Sequence, residues 1–220
     1  MRIAERYNGP ERSANGGVTC GLLAAALNGP VVSGAVEVTL RRPPPLEREL
    51  HVADGALHDG EALVAQAVPA DVSLDVPPPV GVAAARAAQA GYAGLQAHPF
   101  PTCFVCGTQR SDGLGLRPGP VGDGVACVWT PYDEDQVLVW AALDCPGGWS
   151  TDLPGRPMVL GRMALRLEAL PAPGQPHVVQ GWTTGGEGRK TRTGSALYDA
   201  AGTLLAVARA TWIAVEPPAR

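Results

Sequence analysis

Two stretches of this chain repeat each other. Residues 36–52 (VEVTLRRPPPLERELHV) and 163–179 (MALRLEALPAPGQPHVV) have the same length and the same plan: alternating apolar residues, a proline-rich break, then a second strand-like run. Downstream, Ala56-Leu57-His58-Asp59-Gly60 with Leu63 is echoed by Ala196-Leu197-Tyr198-Asp199 with Gly202 and Leu205. Matched blocks in matched order imply duplication, which constrains the chain to fold as two copies of one unit. The copies are unequal. Three residues (53–55) separate the blocks in the first and sixteen (180–195) in the second, so the N-terminal half is expected to have lost strands.

Each copy carries an apolar helix candidate ahead of its strands. In the first, Asn15 serves as N-cap, residues 18–27 (VTCGLLAAAL) form the body, and Asn28-Gly29-Pro30 ends it through a left-handed cap and a helix breaker. In the second, residues 136–143 (QVLVWAAL) are expected to end at Asp144-Cys145-Pro146-Gly147-Gly148. Both are apolar nearly all round, which calls for a sheet wrapped about them rather than a wet surface. The C-terminal run 204–213 (LLAVARATWI) places Ala206, Ala208 and Ala210 on one face, small enough for a helix to approach, with Leu205, Val207 and Ile213 on the other. Between the copies, Pro77-Pro78-Pro79 leads into an alanine-rich linker helix at about 80–92. The expected fold class is α+β, an antiparallel sheet curled around a central helix, twice over. Residues 1–98 form the reduced half with its linker helix and residues 99–220 the complete half.

Composition narrows the function classes. Twenty-one acidic residues against 17 basic ones, with no Lys/Arg run, argue against a nucleic-acid partner. Residues 1–8 (MRIAERYN) hold no apolar leader, and no run approaches a membrane span, so a cytoplasmic protein with no membrane partner is expected. Five cysteines at scattered spacing suit reduced thiols. The 28 Gly, 22 Pro and the single lysine, Lys190, have the flavour of a GC-rich bacterial genome.

At this point the sequence resembles the hotdog-fold acyl-CoA thioesterases, in a fused double-hotdog form. Cys103-Phe104-Val105-Cys106-Gly107, followed by Gly113-Leu114 and Leu116, is similar to the CxxCG…GL opening of many such domains. Asn15-Gly16-Gly17 resembles the family's His-Gly-Gly helix start, Leu143-Asp144 its Leu-Asp pair, and residues 189–199 with Gly202 its paired C-terminal strands. The departures matter as much. The first copy has the glycines but Ala24 and Ala25 where the carboxylate belongs; the second has Asp144 but Asp135, Gln136 and Val137 where the glycines belong. Nine residues of one helix span about 13 Å, too far to act on one carbonyl, so neither helix alone can supply both parts. In two-fold hotdog dimers the central helices run antiparallel, and the resemblance therefore implies one composite site from Gly16, Gly17 and Asp144, with the opposite site dead.

The chemistry suits those residues. Unpaired N–H groups at Gly16 and Gly17 can stabilise the oxyanion of thioester hydrolysis, Asp144 can activate water or attack directly, and Asn15 can position the thioester without serving as acid or base. Trp149 would line an acyl pocket, and Arg189, Lys190 and Arg192, near a hairpin, would meet the phosphates of CoA. The implied function is an acyl-CoA thioesterase-like hydrolase with no cofactor beyond the CoA of its substrate, assembled as a homodimer of double-hotdog chains. The alternative is a non-catalytic acyl-binding or assembly protein, which lost motif halves would also produce. A hydratase ranks behind both, because no His is expected near either helix.

Plainer roles exist for the same residues. Asn15-Gly16-Gly17 can be an N-cap followed by packing glycines, and Asp144 a residue closing its helix. The CxxC of Cys103 and Cys106 lacks a second CxxC or a His pair, Cys127 and Cys145 stand alone, and no metal is expected. Gly185-Gly186-Glu187-Gly188 reads as a hairpin turn, and the tryptophans as core.

Overall fold

The computed structural model describes residues 1–28 and 34–216. The elements in chain order are α1 (Gly16–Asn28), β1 (Ala35–Leu40), β2 (His51–Ala53), β3 (Ala56–Asp59), β4 (Ala62–Ala70), α2 (Val82–Ala88), β5 (Gly119–Val121), β6 (Gly124–Trp129), α3 (Gln136–Trp149), β7 (Met158–Leu167), β8 (His177–Glu187), β9 (Lys190–Tyr198) and β10 (Leu204–Ala214). The strands form one antiparallel sheet in the order β2-β3-β4-β1-β7-β10-β9-β8-β6-β5. Read outward from the β1/β7 junction, it runs β1, β4, β3, β2 on one side and β7, β10, β9, β8 on the other. The duplication is thus written into the strand order. The halves are joined by main-chain pairing, with Val38 opposite Met163 and Val36 opposite Leu165.

The N-terminal half is smaller, as expected. β2 and β3 have three and four residues where β8 and β9 have eleven and nine. Beyond β8 the second half adds β6 and β5; next to the first half's short hairpin the described residues hold the single bridge Arg2–Glu49.

The apolar helices are wrapped as their composition requires. Leu23 of α1 and Leu143 of α3 share one buried cluster with Val38, Met163 and the alanines 206, 208 and 210 of β10. Val207 faces the opposite side, with Val72 and Ala164. Leu205 departs from strict alternation, because the register shifts between Leu204 and Ala206 and turns it into the main cluster. The linker begins its helix at Val82, gives way to 3-10 turns at Gln89–Gly91 and Ala93–Leu95, and covers the outer face of the sheet. There Ala85 packs against Ala126, Val178 and Tyr198, and the Tyr198 hydroxyl donates to the Pro77 carbonyl at 2.9 Å.

α1 and α3 run antiparallel in direct contact. A Cβ on Gly17 would lie 2.7 Å from the Trp140 carbonyl oxygen and 2.9 Å from the Ala141 Cα; one on Gly21 would lie 2.9 Å from the Val137 Cα. Two glycines four residues apart on one helical face therefore let the backbones meet. Asp135 caps α3, accepting from the Val137 N–H at 2.8 Å. The expected helix stop at residues 144–148 does not occur. α3 continues through Pro146 to Trp149, so Asp144 sits inside a buried helix rather than in a turn. Proline there removes one N–H donor, and in the same turn the Ser195 hydroxyl donates to the Leu143 carbonyl at 2.7 Å. Gly148 serves packing, since a Cβ would strike the Trp212 ring at 2.8 Å. The Gly29-Pro30 stop expected for α1 lies outside the described residues.

Candidate active site

The start of α1 meets the rear of α3. Asn15 caps α1, its Oδ1 accepting from the Val18 N–H at 2.9 Å, which aims its Nδ2 outward to donate to Asp144 Oδ2 at 3.1 Å. The Gly17 N–H donates to the same oxygen at 3.0 Å. Asp144 is only 2% exposed, and its other oxygen, Oδ1, has no hydrogen-bond partner among the described residues. Burial pushes its carboxyl up to about 7, against the opposing pull of the Gly17 amide; the Cys103 sulfur raises it further and the Asn15 amide lowers it.

This geometry corrects one assignment. Gly17 was expected to offer its amide to a substrate oxyanion, but that N–H is engaged by Asp144 and Gly17 does not line the cavity. Gly17 positions the carboxylate. The amide left unengaged is the Gly16 N–H, in a residue that lines the cavity and outside every hydrogen bond among the described residues. Glycine is required there too, since a Cβ would meet the Leu160 Cβ at 2.7 Å.

Asn15, Gly16 and Asp144 line a cavity of about 650 Å³. Its walls are apolar, with Met158, Leu160 and Trp212, and Ile213 joins them because β10 slips register between Thr211 and Trp212. Trp149 lines it too, stacked edge-on against His98 with ring centroids 5.0 Å apart. Arg189 also lines it, donating to the Ala214 carbonyl at 3.0 Å. Lys190 and Arg192 do not. They lie on β9, exposed, and the Arg192 guanidinium sits across the hairpin beside Gly185. Three arginines that the sequence reading missed complete the mouth: Arg12, Arg41 and Arg42. None of the four lining arginines takes part in an ion pair among the described residues. Arg41-Arg42 ahead of Pro43-Pro44-Pro45 was the available signal, readable only once β1 is known to end over the cavity.

The loop of residues 103–107 forms another wall. The Gly107 N–H donates to the Cys103 carbonyl at 2.8 Å, and a Cβ on Gly107 would lie 2.5 Å from that oxygen. Leu114 and Leu116 close the loop by donating to the Phe104 and Val105 carbonyls at 2.8 and 2.9 Å. Two expectations fail here. Cys145 does not stand alone, its Sγ being 3.8 Å from the Cys103 Sγ. A histidine does lie near a helix: His98 packs on Trp149 at the end of α3. Its Nδ1 accepts from the Phe100 N–H at 3.0 Å, which leaves Nε2 to donate to the Cys106 carbonyl at 3.1 Å. Both nitrogens are engaged, and burial lowers its pKa against the opposing pull of the Cys106 carbonyl.

The sequence matches no protein-family model and no curated protein. Solved structures do match. A protein of unknown function with a hot dog fold from Alicyclobacillus acidocaldarius superposes with a TM-score of 0.61 at 14% identity, over 98% of this chain and 92% of its own. An acyl-CoA thioesterase II from Mycobacterium marinum gives 0.56 at 10% identity, over 99% and 92%, and a protein classed as a thioesterase II from Thermobifida fusca gives 0.62 at 14%, over 98% and 91%. The chain has a double hotdog fold. In this double hotdog α1 and α3 are the two wrapped helices, and the site lies where the first begins beside the second. No helix among the described residues is long and apolar enough to cross a membrane.

Proposed function

We propose that this double hotdog hydrolyses an acyl thioester, with acyl-CoA as the substrate class. The observation that carries the reading is Asp144, which lines an apolar cavity together with Gly16 and whose Oδ1 is buried without a hydrogen-bond partner among the described residues. A buried carboxylate oxygen left unsatisfied carries a free-energy penalty, and catalytic groups are where such penalties are retained. The acyl chain occupies the apolar cavity, its carbonyl oxygen accepts from the Gly16 N–H, and its carbonyl carbon faces Oδ1. Asn15 and Gly17 hold Oδ2, so the carboxylate presents a single oxygen. As a general base, Oδ1 takes a proton from water while the water oxygen bonds the carbonyl carbon, and passes it to the departing thiolate as the C–S bond breaks. As a nucleophile, it forms the C–O bond itself, the C–S bond breaks, and water then hydrolyses the resulting anhydride, its two protons ending on the released acid and thiol. Arg12, Arg41, Arg42 and Arg189 surround the mouth, where the phosphates of CoA would lie.

Asp144→Asn preserves size and hydrogen-bonding reach and removes the base. Free-thiol release from a panel of acyl-CoAs should fall by about 10²–10⁴-fold, the range for a lost general base. Hydrolysis indifferent to the substitution would remove Asp144 from the reaction. Saturable acyl-CoA binding without turnover in the wild type would instead make the protein an acyl-ligand binder.

A further inference from the structure

Cys103, Cys106 and Cys145 bring three buried sulfurs within 4.8 Å of one another, although 42 residues separate Cys103 from Cys145. It is the one such group among the described residues. A tetrahedral zinc site with Zn–S bonds of about 2.3 Å requires sulfurs about 3.8 Å apart. The Cys103 and Cys145 sulfurs are 3.8 Å apart already. Buried cysteines often pack as small apolar groups, but these three have company suited to thiolates. The Asn15 Nδ2 lies 3.8 Å from the Cys103 sulfur, a donor of the kind that supports a ligating sulfur. The turn itself is fixed from outside by the Tyr92 hydroxyl and the His98 ring, both donating to the Cys106 carbonyl at 2.9 and 3.1 Å.

We propose that Cys103, Cys106 and Cys145 form a Zn²⁺ site with three protein ligands, whose fourth corner opens to the cavity and is filled by water. All three cysteines line that cavity, and His98, with both ring nitrogens engaged, does not compete for the corner. Binding displaces the thiol protons to solvent and changes no oxidation state. Three soft ligands without a carboxylate among them select zinc over magnesium or calcium. The ion staples the 103–107 loop to α3 one residue from Asp144, tying the wall of the cavity to the helix that carries the carboxylate. The inference does not depend on the hydrolase reading, since metal content is measured without substrate.

The test uses the full-length reduced protein. Metal is removed with a chelator and one equivalent of Zn²⁺ or Co²⁺ is returned. We expect about one zinc retained per chain after gel filtration, and with Co²⁺ the thiolate-to-cobalt absorption and intense visible bands of tetrahedral coordination. Both should be lost in Cys106→Ser and in Cys145→Ser and kept in Cys127→Ser, a buried cysteine on β6 outside the group. If the serine variants fail to fold, the wild type still decides: the cobalt bands either appear or they do not. Their absence, their survival in both serine variants, or a Cys103–Cys106 or Cys103–Cys145 disulfide in the native protein by mass spectrometry would overturn the proposal. Zinc bound in a protein with no thioesterase activity would leave the site standing and remove only the hydrolase.

Discussion

The two ends of the α1/α3 pair hold equivalent places in the double hotdog and are opposite in what they contain. Where α1 starts, Gly17 donates directly to Asp144, and Gly16 and Asp144 line a cavity of about 650 Å³. At the other end, Ala24 holds the position matching Asp144 and Gln136 the one matching Gly16, and only about 10 Å³ remains among Ala24, Gln136, Trp140 and Leu165. Both helices are still capped, α1 by Asn15 and α3 by Asp135. Capping therefore belongs to the fold, whereas glycine amides facing a buried carboxylate belong to the site. A glycine also closes the helix contact at Gly21, which does not line the 650 Å³ cavity, so a glycine at this interface does not by itself mark function.

Six substitutions, in four comparisons, test that contrast, beginning with the largest effect. Ala24→Asp puts a carboxylate at the filled end, where no glycine amide receives it; an uncompensated buried charge should lower stability by about 3–5 kcal/mol in denaturant unfolding and create no second activity. A gain in turnover there would break the idea that one end is dead. Gly17→Ala and Gly21→Ala both force a Cβ into the opposing helix and should each destabilise by about 1–3 kcal/mol. Only the first displaces Asp144, so thioester turnover should drop about 100-fold in Gly17→Ala and hold in Gly21→Ala, measured below the unfolding temperature of both.

The caps offer a gentler comparison. Asn15→Ala and Asp135→Ala should each lose about 0.5–2 kcal/mol of stability, yet only Asn15→Ala should slow hydrolysis, by roughly 10-fold for a lost hydrogen bond to a charged group. Equal slowing in both would mean the cap matters through helix stability alone. Smallest is Arg42→Ala, expected to raise KM for acyl-CoA about 2–5-fold, the worth of one exposed ionic contact, with kcat unchanged. Acyl-pantetheine, which lacks the phosphates, should not distinguish this variant from the wild type; if it does, Arg42 acts on the acyl chain or the fold instead.

Much of the architecture was legible because periodicity reports burial directly. Alternation in residues 36–40 and 204–210 marked β1 and β10, and the all-round apolar stretches marked α1 and α3. The end of α3 was not legible: Asp-Cys-Pro-Gly-Gly carries every local signal of a stop, and the helix continues because Trp212 and Ser195, distant in sequence, pack and hydrogen-bond around it. Leu205 and Ile213 escaped for a related reason. Register slips are set by partner strands, and one slip reverses or re-aims a side chain that counting by twos assigns elsewhere. Lys190 and Arg192 were misplaced on the same ground, while Arg41 and Arg42 were overlooked as ordinary surface charge.

The amino-acid order alone determined that there are two copies, that each wraps a helix, and that neither copy keeps both the glycines and the carboxylate, because duplication and burial leave their mark on neighbouring residues. Tertiary structure alone decided that the Gly17 N–H is engaged by Asp144, that Gly16 is the amide left over, and that Cys145 joins Cys103 and Cys106. Those facts depend on distances of a few ångströms between residues 42 to 129 positions apart. Hydrogen bonds and sulfur contacts act only at that range, and no pattern of neighbours along a chain encodes which distant atoms will be brought within it.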